Sequence, residues 1–531
     1  MKQPSALSRQ PSGCRSKSGR SQQWLRLFAS FIAQVSCFWL LSCYDRPDRD
    51  TLVMIIESSP TNLDPRVGID GPSERIDGLL FENLVARDEH LSVKPELAER
   101  WETPDPKTYV FHLHAGVKFC NGQPLTSRDV KWSFDSLLRG DVRSTKAATY
   151  RFVDHIDTPD DGTVVFHLKE PWAELLWNVA NPGMGIVPYG SKDEISRNPI
   201  GSGPFRFVSA DQDREAVIER NDDYWGGKAK IQRVRFIVVP DTTTRALELR
   251  KGSADIETNA LTADLELTLE KEANLRILRG AGTRLGYIGF NFRDPILKDV
   301  RVRQAIAYAI DRQPLIHYLW RDSARPASSV LPPESWAYYA AARQYPFDPV
   351  KARQLLNEAG FAEKNGVRFH IVMKTSTEES SRAMAAVFQQ QLREVGIALD
   401  IRSFEAATFL SDITRGEFQM YSLRWLGTNE DPDFFEYAFH SARIIPNGGN
   451  RQYYSNPRVD GLIDMARTEF DQNARKQDYA QIQQILAEEL PYINLWYFDN
   501  VMVLSKRVSN VQLNPSGNYD FLKTAEFTAK P

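Results

Sequence analysis

Polar and apolar positions change period repeatedly along the chain, and each change marks an element. Thr51–Ser58 (TLVMIIES) is an almost unbroken apolar run of strand length, which predicts a buried strand. Thr108–His114 (TYVFHLH) alternates with period two and predicts a half-buried strand. Val117-Lys118-Phe119 followed by Asn121-Gly122 predicts a strand and a turn. Asp161-Gly162 lies between FVDHIDTP and TVVFHLKEP and predicts a hairpin. Ile76–Val85 has apolar residues at helical spacing. Thr126, with Asp129 three residues on, predicts a helix opened by a capping box.

The second half reads the same way. Thr242–Lys251 is a predicted helix after the strand run VRFIVVPD, and Arg284–Phe292 is a strand run. Val300–Leu319 has Val302, Ala305, Ile306, Ala309 and Ile310 at helical spacing and predicts one long helix. VRFHIVMK, the helix Ser381–Val395 and IALDIRSFE make a strand–helix–strand unit suited to a parallel sheet, with Gly396 placed to end the helix. Further elements are a short helix at Leu410–Arg415, a strand at Phe418–Trp425, helices at Val459–Phe470 and Asn473–Leu490, and a closing strand in INLWYFDNVMVLS. The fold class is α/β, mixed α+β, in several domains.

The remaining long apolar run, Leu27–Leu41, is too short to cross a bilayer as a helix but fits the apolar region of an export signal. Charge supports this. Six of the 66 bases and none of the 69 acids fall in residues 1–44, so the rest of the 531-residue chain carries 60 bases and a net charge of −9. Leu40-Leu41-Ser42-Cys43 resembles a lipobox, in which the chain is cut before a lipidated Cys. A plain secretory signal and a short anchor are the other readings. Cleavage at Cys43 leaves Cys120 as the only thiol beyond the lipid-bearing residue, so no intramolecular disulfide is expected. An acidic body argues against nucleic acid as a partner.

No HExxH, CxxC, phosphate-binding loop or nucleophile elbow occurs, and Ser202 in GSG reads as a turn. Of the eight histidines, only His112 and His114 are close in sequence, a pair that lacks a third ligand nearby. The expectation is no enzyme, no cofactor and no metal. Aromatic residues cluster at Trp336–Tyr339, at Trp425–Phe439, and at Tyr453–Tyr454 with Trp496–Phe498, as core or as walls of a cleft.

Several segments, in order, resemble family 5 of the extracellular solute-binding proteins of ABC importers, which includes dipeptide, oligopeptide and nickel receptors. They are NLDP at Asn62–Pro65, the block Leu80–Phe134, NPIGSGPFRF at Asn198–Phe207 and DDYWGG at Asp222–Gly227. GFNFRDPILKDVRVRQAIAYAIDR at Gly289–Arg312, RWLGTNEDPDFF at Arg424–Phe435 and LPYINLWYFDNVMV at Leu490–Val503 complete the set.

The resemblance implies a periplasmic-binding-protein-like fold: two lobes, a cleft and a hinge, in three domains. Residues 1–42 would be the signal and 43–50 a tether. Residues 51–75, 203–285 and 501–531 would form the main domain of lobe one, 76–202 its inserted domain, and 286–500 lobe two. The crossings between lobes are expected near Arg284–Gly289 and Phe498–Met502. Carried over by position, the ligand-binding residues are Ile69, Asp70, Gly71, Asn291, Trp425, Gly427, Thr428, Asn429 and Asp431. Thr428 stands where the family's peptide receptors typically carry an Asp that pairs with the α-ammonium, and Glu430 or Asp431 is the candidate substitute. The implied function is capture of peptides or peptide-like solutes outside the cytoplasmic membrane by a monomeric lipoprotein, with delivery to a permease and its ATPase subunits. A non-peptide solute (sugar, metal chelate, opine) or a sensory receptor are the alternatives.

Overall fold

The computed structural model describes residues 50–427 and 430–528. The predicted export signal, Cys43, Thr428 and Asn429 lie outside the described residues.

Thr51–Ile56 is buried along its whole length and forms the centre of a seven-stranded sheet. It runs parallel to both neighbours, Arg233–Val238 and Ile256–Thr258, which is why it is apolar on both faces. Successive side chains point to opposite faces. Leu52, Met54 and Ile56 enter one core with Ile76, Leu79, Leu80 and the C-terminal Tyr519, Phe521 and Leu522. Val53 and Ile55 enter the other with Ala246 and Leu249. The helix Gly71–Leu80 therefore packs with this sheet, although the expected partition at residue 76 would divide it.

A second sheet has six strands, in the order Ala324–Pro326, Tyr492–Phe498, Leu285–Phe290, Met420–Trp425, Phe369–Ser376 and Ile397–Phe404. The last two are parallel, as the strand–helix–strand pattern requires. The helix between them, Glu379–Arg393, buries Met384, Ala385, Phe388 and Leu392 against them. A third sheet, of four antiparallel strands, comprises Ala98–Asp105, Thr108–Leu113, Thr163–Leu168 and Val153–Asp160. The helix Ser127–Leu138 covers one of its faces. The Asp129 carboxylate accepts from Thr126 N at 2.7 Å, which forms the predicted capping box.

Several expectations are corrected: the helical stretch read at Ile76–Val85 is the helix Gly71–Leu80, and Val85 begins a strand. Val300–Leu319 is two helices, Val300–Ala309 and Arg312–Leu319. Ile310 is extended between them, and the Asp311 carboxylate caps the second by accepting from Gln313 N at 3.1 Å. Pro314 then sits in a first turn, where no intrahelical N–H partner is needed. The closing run is two strands, Tyr492–Phe498 and Asn500–Ser505, which belong to different sheets. The chain thus passes from the first sheet to the second through residues 281–284, and returns through Asp499. The first passage precedes the expected one because Gly286 and Gly289 are already paired in the second sheet.

Candidate ligand-binding cleft

Both passages are held by side-chain amides. Asn259, with a left-handed backbone (φ 62°), accepts from Val501 N at 2.9 Å and from Arg284 Nη2 at 3.3 Å. Its own Nδ2 donates to Asn500 Oδ1 at 3.1 Å. Asn500 Nδ2 in turn donates to the carbonyls of Asn514, Pro515 and Ala281. The hinge is therefore a pair of short segments locked by two asparagines and crossed by a guanidinium.

Trp425 ends a strand beside this hinge, paired with Leu285. It is 8 % exposed and stacks on Tyr287 at 5.8 Å between ring centroids. Phe434 meets it edge-on at 4.9 Å, and the Arg451 guanidinium lies 4.7 Å above it. Arg451 also donates to the Tyr287 hydroxyl at 3.2 Å. The next residues change environment abruptly: Leu426 is 73 % exposed, and Gly427 takes a left-handed backbone (φ 91°).

The loop then dives inward. Glu430 is buried and accepts from Thr283 Oγ1 at 2.8 Å, from Ser516 Oγ at 3.3 Å and from Arg87 Nη1 at 3.1 Å. Burial raises its carboxyl above the ordinary range, and Arg87 and the two hydroxyls only partly offset this. Asp431 is also buried. It accepts from Asp433 N at the start of the helix Phe434–Phe439. Burial, then the nearby Glu174 and Asp433, push its carboxyl well above its ordinary value. Glu430 is thus engaged on both oxygens, while Asp431 has one oxygen committed to the helix start.

On lobe one, Ile69 is 63 % exposed. Asp70 caps the helix Gly71–Leu80, accepting from Ser73 N at 3.0 Å and from the Ser73 and Thr61 hydroxyls. Burial raises its carboxyl, but these bonds together bring it below the usual value. Gly71 is the first residue of that helix, and the Arg75 guanidinium folds back to within 3.8 Å of where a Gly71 Cβ would stand. Asn291 is not brought to this place. It follows Phe290 at the far end of the strand whose near end pairs with Trp425. Its amide is spent on Phe418 O at 2.8 Å, Gly416 O and Arg293.

Sequence reading missed the positive charge at the hinge. The Arg284 and Arg424 guanidiniums lie over the Phe498 ring at 5.8 and 5.5 Å. Arg424 is ion-paired with Glu378 at 2.8 Å. Burial, then the positive charges of Arg424 and Arg75, lower Arg284 to about 10. Three guanidiniums from helix, hinge and strand thus face the same region. A signal was present: Arg424 precedes Trp425, Arg284 opens the expected crossing, and Arg75 lies one helical turn after Gly71.

Residues 92–446, more than half of the chain, match the family described as bacterial extracellular solute-binding proteins, family 5. The chain belongs to that family. It is 27 % identical over 501 residues to the dipeptide-binding protein of Escherichia coli, covering 89 % of this chain and 94 % of that one. Among solved structures it is similar to the oligopeptide-binding protein AppA from Bacillus subtilis in complex with a nonapeptide. There the TM-score is 0.72 at 27 % identity, with 90 % and 99 % of the two chains covered. It is also similar to HbpA2 from Haemophilus parasuis, with a TM-score of 0.81 at 26 % identity over 90 % and 100 % of the two chains. The family 5 fold accounts for the two lobes and the paired crossings. These relatives are binding proteins, and the chain's role is that of an extracellular solute-binding protein.

Proposed function

We propose that this solute-binding protein captures peptides or peptide-like solutes outside the cytoplasmic membrane, anchored by acyl chains on Cys43, and hands them to an ABC permease. The observation that carries the reading is the junction itself. Arg284 and Arg424 lie over Phe498 beside the two short crossings, and Trp425 ends the strand next to Arg424 on the other face of the sheet, in a chain whose relatives include the E. coli dipeptide-binding protein and AppA. Closure of the lobes would bury the solute between these groups, with Ile69, Gly71, Gly427 and Asn429 offering backbone hydrogen bonds.

The charge pattern refines the solute. Thr428 brings no carboxylate for an α-ammonium, and Glu430 is already engaged by Arg87, Thr283 and Ser516. Arg424 is already paired with Glu378, and Arg75 and Arg284 favour carboxylates, so the solute is held through its acidic groups. Mass spectrometry of solute released from the denatured protein tests this. Short peptides or their N-blocked or acidic relatives are expected, and a sugar or a metal chelate would overturn it. Thermal melting with matched free and N-acetylated dipeptides should show similar shifts. A strict need for the free amine would refute the role given to Thr428.

A further inference from the structure

The solvent face of the four-stranded sheet carries a constellation unrelated to the cleft. His155 and His167 sit on adjacent strands as register partners. Their rings stack at 4.3 Å between centroids, 14° from parallel. Asp157, two residues beyond His155 and so on the same face, directs Oδ2 at both rings. It stands 3.2 Å from His167 Nε2 and 3.7 Å from His155 Nε2. One ligand atom from each of the three lies within 4.8 Å of the others. His155 Nδ1 stands 2.8 Å from Asp154 Oδ2. With the proton on Nδ1, donated to Asp154, the Nε2 lone pair faces Asp157.

We propose that His155, His167 and Asp157 bind a divalent transition-metal ion of the Zn²⁺, Ni²⁺ or Cu²⁺ class. Two imidazoles and a carboxylate are the donor set these ions prefer over Mg²⁺ or Ca²⁺. The spacing fits. Two ligands of a tetrahedral ion with bonds of about 2.1 Å stand roughly 3.4 Å apart, between the two nitrogen–oxygen separations seen here. Asp154 plays the supporting part that a carboxylate commonly plays behind a ligating histidine: it fixes the tautomer and the ring orientation. The three side chains are partly exposed, which gives an ion direct access and leaves its remaining positions to water. His112 on the neighbouring strand is not a member, because its Nε2 is 3.2 Å from Glu102. His114 faces Glu99 instead, so the pair that adjacency in sequence suggested is split between two acids. An ion at the proposed site would tie together the two strands of the Asp161-Gly162 hairpin.

The test is calorimetric titration of the purified protein, without a polyhistidine tag and stripped by a chelator, with ZnCl₂, NiCl₂ and CuCl₂. Thermal melting of the same samples accompanies it. One saturable equivalent and a metal-dependent rise in melting temperature are expected. Both should vanish in the His155→Ala/His167→Ala double variant, whose metal-free melting matches the parent because the rings are on the surface. Asp154→Asn should weaken binding roughly tenfold or more without changing the stoichiometry, and His112→Ala should change neither. No saturable binding by the parent, or binding that survives in the double variant, would overturn the assignment.

Discussion

Arg87 Nη1 lies 3.1 Å from Glu430 Oε2, with 16 % and 5 % of the two side chains exposed, and the pair joins lobe one to the loop that follows Trp425. Burial raises Glu430 and lowers Arg87, so the ion pair offsets a desolvation cost that neither group could bear alone. Glu430→Ala should therefore lower unfolding stability by about 3 kcal/mol in urea titrations. It should also open the solute-free protein, seen as a larger radius of gyration in small-angle scattering. An Arg87→Met/Glu430→Met double variant should recover much of the stability. If the double variant is as unstable as the single one, the pair does not act as a unit.

Asp70 is a helix cap first, and its role toward solute can be separated from that. Asp70→Ala should cost about 1 kcal/mol of stability, while Asp70→Asn, which keeps an accepting oxygen for Ser73 N, should cost less than half as much. Solute affinity should follow the same order if Asp70 only positions the loop. Equal loss of affinity in both variants would show that its charge touches the solute.

Trp425 is core by its packing, and the proposed function also makes it a wall of the cleft. Trp425→Ala removes the stack on Tyr287 and the edge contact with Phe434, and should destabilise the protein by about 3 kcal/mol or more. Trp425→Phe keeps a ring over Tyr287 and should fold nearly as well, yet bind solute more weakly, with a loss on the order of 2 kcal/mol. Calorimetry with the co-purified solute reads the second number. Unchanged affinity in the Phe variant would remove Trp425 from the binding surface.

Glu257 gives the protein a pH dependence of known sign. It is buried in the strand Ile256–Thr258, and burial raises its carboxyl to about 8, opposed by the Ala260 N–H and by Arg245. The folded state thus holds a proton that the unfolded chain releases at its ordinary, lower value. The contribution is fully present in acid and is lost as pH rises towards about 8. Glu257→Gln should flatten this decline, gaining on the parent by at most about 1.4 kcal/mol per pH unit before levelling off. Urea titrations between about pH 5 and pH 8 measure it. Parallel curves for the two proteins would show that Glu257 does not titrate in this window.

Much of the fold was legible because its signals are local. The Thr126–Asp129 box, the Asp161-Gly162 turn and the parallel unit around Glu379–Arg393 each declare themselves within one or two dozen residues. The break at Ile310–Asp311 was masked because the apolar spacing continues across it, although Asp311 and Pro314 marked a second start. The site was less legible. Arg284 and Arg424 meet only because Gly286 and Arg424 are register partners, a fact of pairing and not of spacing. The same holds for His155 and His167, twelve residues apart. Simple pairing about the Asp161-Gly162 turn would set His155 opposite Leu168, and only the register shift between Asp157 and Asp160 brings the two histidines together. Asn291, carried over by position, lies at the other end of the strand from the Trp425 pairing, a separation that only the strand register reveals.

The return through Asp499 has a consequence for how the chain is made. Leu275–Gly280, an edge strand of the first sheet, pairs among the described residues only with Asn500–Ser505. The sheet begun at Thr51 therefore waits for some of the last residues to leave the translocation channel, more than 400 positions later. Lobe one cannot mature as an independent N-terminal piece. Lobe two, contained between Leu285 and Phe498, is contiguous in sequence and is free to assemble first. Newly exported chains should pass through a species with a formed second lobe and an unfinished first one, and loss of the last thirty residues should unravel the beginning of the protein before its middle.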